Sequence, residues 1–138
     1  EKTSIAADVA VRIIDAAEAE ARRLGLALVF AVCDESGVLK AFKRMDGAPL
    51  LAVQIAEDKA YTAAGFGMST HQWHDVIKDD PPLRDGAVGG IDRLVVFAGG
   101  LPIKIGDAVV GGFGVSGGHY SQDLQVAEAG LRAFEEGE

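Results

Sequence analysis

Three histidines carry the chain's most evident chemical potential. His119 follows Gly117-Gly118, precedes Tyr120 and stands close to Asp123. An imidazole there could ligate iron, act as a general acid or base near neutral pH, or simply start a helix. The two glycines, ahead of a helix N-terminus, offer backbone N–H groups to an anion such as a carboxylate. His71 and His74 lie three positions apart, so on a helix they share a face. Such a pair suits a metal, or supplies one imidazole to a tetrapyrrole iron. A zinc site needs a third and usually a fourth ligand, so H-x-x-H alone is a weak metal signal and capping or surface histidines are the plainer reading.

Arg44, Asp46 and Lys59 form a second set. Arg44, at a strand end, could clamp a carboxylate with two parallel hydrogen bonds. Lys59 interrupts an alanine-rich helix with Ile55 and Ala63 one turn to either side, which predicts partial burial. A buried ammonium needs a carboxylate, and Asp46 and Asp123 are the candidates. The structural reading is a salt bridge holding a hairpin to the helix. The functional one is a positive pocket, with Tyr61 as a neighbouring donor or packing residue.

Gly112, Gly114 and Gly117 spell G-x-G-x-x-G within VVGGFGVSGGHYSQD. A dinucleotide site needs a further parallel strand with an acidic residue about 20 positions on. The chain ends too soon after Gly117 to supply one, so NAD and nucleotide binding are excluded. The glycines then serve either close packing of a helix on the sheet or a ligand lying on bare backbone.

These residues must be carried by 138 residues of net charge −8, with 49% hydrophobic and 25% charged residues. That length and composition fit one globular domain spanning 1–138. No basic footprint for nucleic acid is present, and no apolar run approaches the roughly 20 residues of a membrane span. The first residues lack a signal-peptide pattern, and the chain opens on Glu1 rather than Met, which leaves room for a removed segment; a cytoplasmic location is the expectation. Cys33, the single cysteine, reads as a small buried hydrophobe.

Thr3 or Ser4 can cap a first helix running to about residue 24, with Gly25 as its stop. Residues 26–33 read as a strand buried on both faces, and 38–45 as its hairpin partner across Asp34-Glu35-Ser36-Gly37. Residues 50–66 predict a second helix, and Ser69-Thr70-His71-Gln72 a capping box opening a short third helix through about residue 77. Residues 79–90 (DDPPLRDGAVGG) read as a loop. Strands are expected over 94–98, 102–105 and 108–115, with Gly106-Asp107 as a tight turn and Pro102 at a strand start or edge. A final helix covers about 121–135, ahead of an acidic tail. The order is α-β-β-α-α-β-β-β-α.

FKRMDGAP (42–49), KAYTAAGFG (59–67), GGLPIKIGDAVVGGFGVSGG (99–118) and QDLQVAEAG (122–130) together resemble the GlcG/HbpS-like family, which includes haem-binding proteins and the C-terminal domain of PduO-type proteins. The resemblance covers nearly the whole chain. It implies a profilin-like α/β (α+β) fold, an antiparallel five-stranded sheet flanked by helices, and symmetric homo-oligomers. It also implies a small-molecule ligand, with haem or a related tetrapyrrole leading; the family motifs fix no iron ligand, and His119, His71 and His74 are the candidates this chain itself offers. Arg44 or Lys59 would then neutralise propionates, and Gly117 and Gly118 would floor the pocket. The histidine at 119 departs from the family's common pattern, so its role is not inherited. The alternative is a cofactor-free isomerase or lyase acting on a small carboxylated or hydroxylated metabolite. There His119 would be the general acid or base, Arg44 or Lys59 the cation, and Asp46, Tyr120 and Asp123 would assist.

Overall fold

The computed structural model describes residues 2–136. Its elements are α1 (Ala7–Arg23), β1 (Val29–Asp34), β2 (Leu39–Arg44), α2 (Leu51–Phe66), α3 (Thr70–Ile77), α4 (Pro81–Gly90), β3 (Gly100–Ile105), β4 (Ala108–Ser116) and α5 (Tyr120–Glu136). The strands form one antiparallel sheet in the order β2-β1-β4-β3. The fold is therefore α+β, with two hairpins joined through the long central β1–β4 pairing.

Side-chain alternation gives the sheet two unlike faces. Phe30, Val32, Phe113 and Val115 point to one side, where Ile13, Ile14 and Ala17 of α1 and Val126 and Ala127 of α5 close a core of large side chains. The other face is built from small residues. Ala31, Gly114 and Gly100 occupy one rung across three strands, and Cys33 and Gly112 share the next. Onto them α2 lays Ala52, Ala56, Ala60 and Ala64. A Cβ on Gly112 would run into the Ala60 carbonyl oxygen, and one on Gly114 into that of Ala56. The glycine-rich strand is thus explained by helix-on-sheet packing, with backbone meeting backbone.

The hairpin, the second helix, the Ser69 start of α3 and the edge position of Pro102 match the sequence expectations. At Ser69 the backbone N–H and the hydroxyl both donate to Gln72 Oε1, at 3.0 and 2.8 Å. Three expectations are corrected. First, α1 begins at Ala7, without a side-chain cap from Thr3 or Ser4. Ile5 is buried and its N–H donates to Val110 O, which holds the preceding residues along the sheet instead of in the helix.

Second, residues 79–90 are not a loop. Asp80 caps α4 by accepting from Leu83 N–H, and Pro81 and Pro82 fill the first helical positions, where a missing N–H costs nothing. Third, the sheet has four strands, not five, among the described residues: 94–98 pairs with no strand. Its backbone is tied to a helix side chain, since Thr62 Oγ1 donates to Arg93 O and accepts from Val95 N–H. Arg93 (φ 65°) and Gly99 (φ 128°) break the extended path on either side. The expected acidic tail includes Gly137 and Glu138, which lie outside the described residues.

Candidate functional site

Two hollows adjoin where β4 runs into α5. One, about 310 Å³, lies between the start of α2 and residues 116–120, with Leu51, Ile55, His119 and Asp123 on its walls. The other, about 420 Å³, lies under α3 and is bounded by His71, His74 and Asp75. Phe97 and Tyr120 line both, so the three histidines look onto a two-lobed groove from opposite ends of an aromatic divider. Residue 97 is carried by the unpaired segment that sequence reasoning took for a strand. Phe97 is 44% exposed because no neighbouring strand covers it.

Lys59 and Asp123 build the wall between groove and core. The ammonium is 0% exposed and the carboxylate 2%, and they meet at 3.1 Å. Lys59 Nζ also donates to Val115 O at 2.9 Å, while Asp123 Oδ1 accepts from Gly118 N–H at 3.0 Å. Burial pushes the lysine below its ordinary pKa and the aspartate above its own, and their mutual attraction pulls each back.

His119 occupies the N-cap of α5. Its N–H donates to Gln122 Oε1 at 3.0 Å, and its Nδ1 accepts from Ser121 N–H at 3.2 Å. The Ser121 hydroxyl lies 2.8 Å from the same nitrogen. A ring nitrogen accepting from a backbone N–H carries no proton, so the neutral imidazole holds its proton on Nε2. Of the two glycine amides expected to be free for an anion, that of Gly118 donates to Asp123, and the next amide, of His119, donates to Gln122.

Residues 5–132 match the family model described as haem degrading protein HbpS-like. The chain belongs to the HbpS-like family. An uncharacterized 15.0 kDa protein of Citrobacter freundii, from the dhaT-dhaS intergenic region, is 35% identical over 127 residues, 92% of this chain and 89% of that one. The crystal structure of Klebsiella pneumoniae protein ORFY shares the fold at TM-score 0.91 and 30% identity, covering 98% of this chain and 93% of that one. The crystal structure of the PduOC:haem complex matches at TM-score 0.87 and 27% identity, covering 95% of each chain.

In this HbpS-like chain the expected site residues separate into three groups. Lys59, Gly117, Gly118, His119, Tyr120 and Asp123 come together around the first lobe, and His71 and His74 around the second. Arg44 and Asp46 join neither. Arg44 ends the row Arg44–Val29–Ser116 on the same end of the sheet, but its guanidinium donates twice to Ala48 O, at 3.2 and 2.6 Å, and so closes the turn before α2. Asp46 is exposed on that turn. Lys59 chose Asp123 from its two candidate partners. The structure does not bring the two candidate cations to one point: Lys59 pairs with Asp123, and Arg44 donates to Ala48 O.

Nor does H-x-x-H recruit further ligands: among the described residues no three His, Cys, Asp or Glu side chains gather to hold a metal ion. His71 keeps only a long 3.3 Å contact from Nε2 to Ser69 Oγ, and its Nδ1 is buried without a partner. A buried polar atom left unpaired costs about 1–3 kcal/mol. Turning the ring toward the lobe it already lines would relieve that cost at little loss. Apolar side chains line most of both lobes, and His71 is a wall imidazole with one nitrogen unpaired. Phe97 is the wall residue that sequence reading missed. Its one signal was the Gly99-Gly100 pair directly behind it.

Proposed function

We propose that this chain is a small-molecule binding protein whose ligand is haem or a closely related tetrapyrrole, held in the groove divided by Phe97 and Tyr120. The observation that carries the reading is His71, an imidazole at the wall of an apolar lobe with one nitrogen unpaired. The similarity to the PduOC:haem complex supports it. Leu51, Ile55 and Phe97 supply apolar contact for a macrocycle. An axial imidazole comes from α3, by His71 or by the exposed His74, and not from His119. Ligation through Nε2 needs the proton on Nδ1, where Ser121 N–H already donates. Lys59 stays with Asp123, which leaves the carboxylates of the ligand to solvent. Bound haem would supply a redox-active iron.

A symmetric homo-oligomer accompanies this reading, since Leu50, Leu51 and Phe66 are 75%, 79% and 65% exposed. Sedimentation as a monomer alone at micromolar concentration would refute that assembly. We also read the fold as a four-stranded form of the profilin-like architecture.

The test is a haemin titration followed by absorbance, with His71→Ala, His74→Ala and His119→Asn in parallel. Asparagine preserves the helix cap that alanine would remove. A saturable Soret shift is expected for wild type and His119→Asn, weakened about tenfold or more in one α3 variant. No saturable shift with wild type sinks the haem reading. Loss confined to His119→Asn would overturn the tautomer argument.

A further inference from the structure

We infer that Lys59 is a positioning residue for the groove: from inside the fold it fixes both the Phe97 divider and, through Asp123, the residue 116–119 loop that presents His119. The inference rests on the groove being the ligand site. An ammonium has three N–H donors, and all three are accounted for. One goes to Val115 O at 2.9 Å and one to Asp123 Oδ2 at 3.1 Å. The remaining side of the ammonium faces the Phe97 ring, with Nζ 5.1 Å from its centroid, within cation–π range. Each contact reaches a different part of the site: the end of β4, the first turn of α5 and the wall shared by both lobes.

Asp123 extends the reach. Its other oxygen accepts from Gly118 N–H, so the loop leading to His119 is held by a carboxylate that is itself held by Lys59. The fold also reserves space for this ammonium. A Cβ at Gly99 (φ 128°) would stand 2.5 Å from Nζ and 2.6 Å from Val115 O, so the bare backbone there leaves room for the ammonium beside the strand end. Were the position only a matter of filling the core, an apolar side chain beside an apolar partner would serve as well, because desolvating two charges offsets most of their attraction. What an apolar pair cannot supply is three directional contacts made at once to the ring, the strand end and the helix cap.

The test uses the full chain with 15N-labelled lysine and backbone, and haemin as the ligand probe. In wild type, a slowly exchanging Lys59 Nζ resonance with cross-peaks to the Phe97 ring is expected. Lys59→Met/Asp123→Asn removes both charges yet leaves an oxygen at 123 to accept from Gly118. Its Gly118 amide should exchange about tenfold faster than in wild type while core amides keep their protection. Its haemin Kd should rise about tenfold or more. A variant that folds with wild-type Gly118 exchange and wild-type haemin affinity overturns the proposal and leaves Lys59 as core filling. Should the variant not fold, the wild-type spectrum decides, because absence of the Lys59–Phe97 cross-peaks overturns the proposal by itself. Failure of wild type to bind haemin sinks the ligand reading alone, and the exchange and cross-peak readouts still judge Lys59.

Discussion

Gly114→Ala adds one methyl group at the tightest seam of the molecule. The new Cβ would stand 2.7 Å from Ala60 N and 3.0 Å from the Ala56 carbonyl carbon, and closer still to that carbonyl's oxygen. Comfortable heavy-atom contacts lie at about 3.5–4.0 Å, so α2 must retreat by roughly 1 Å. Those neighbours are helix backbone and cannot rotate aside. Retreat also loosens Ala52, Ala56, Ala60 and Ala64 from Ala31 and Cys33, the whole of the small-residue core. Overpacking costs about 1–3 kcal/mol where neighbours can adjust, and here they cannot, so about 3 kcal/mol or more is expected. The smaller conformational freedom of alanine in the unfolded chain returns about 0.5–1 kcal/mol.

The net loss, about 2 kcal/mol or more, should appear in urea unfolding as a lower midpoint with an unchanged slope. Gly65→Ala is the control, because Gly65 lies on the same helix with nothing within 4 Å of a new Cβ. It should stabilise by about 0.5–1 kcal/mol. A Gly114→Ala protein within about 1 kcal/mol of wild type would refute the argument that backbone contact dictates the glycine.

Two further outcomes follow from ionisable groups. The Cys33 thiol is pushed up to about 11 by burial, so at pH 8 it should react with an aromatic disulfide reagent only as fast as the chain unfolds; rapid labelling of the native protein would contradict this. Glu18 is held below its ordinary value of 4.5, chiefly by the hydrogen bond from Lys43 and further by Arg22, both at 2.7 Å. Its folded pKa is depressed, so the stability it adds is complete above about pH 4.5 and is lost as pH falls through the folded value. Glu18→Gln should therefore be about 1–2 kcal/mol less stable than wild type at pH 6, with the gap closing as pH falls below about 4.5 in urea melts; a gap independent of pH would show that the ion pair is not its source.

Local signals were legible in the sequence wherever the decisive partner was near in the chain. Gln72 sits three residues from Ser69, and the capping box was read correctly. Lys59 in a run of alanines announced a buried cation, and its partner was one of the two carboxylates considered. The residue 94–98 run failed for the opposite reason. An apolar, β-branched stretch looks the same whether it joins a ladder or packs singly, and the deciding group, Thr62, lies on another element. Asp80-Pro81 was a helix start obscured by the glycines behind it. For Arg44, nothing local showed that Ala48 O would accept from both its Nε and its Nη2.

The two margins of the sheet share a property with wider reach. β2 runs along one margin with Lys40 and Lys43 exposed, and β3 along the other with Pro102, which brings no N–H to a new rung. Exposed lysines on one margin and a missing donor on the other both disfavour pairing with an added strand. The same glycine-rich, apolar strands that permit such close packing inside are thereby kept from growing outward into fibres.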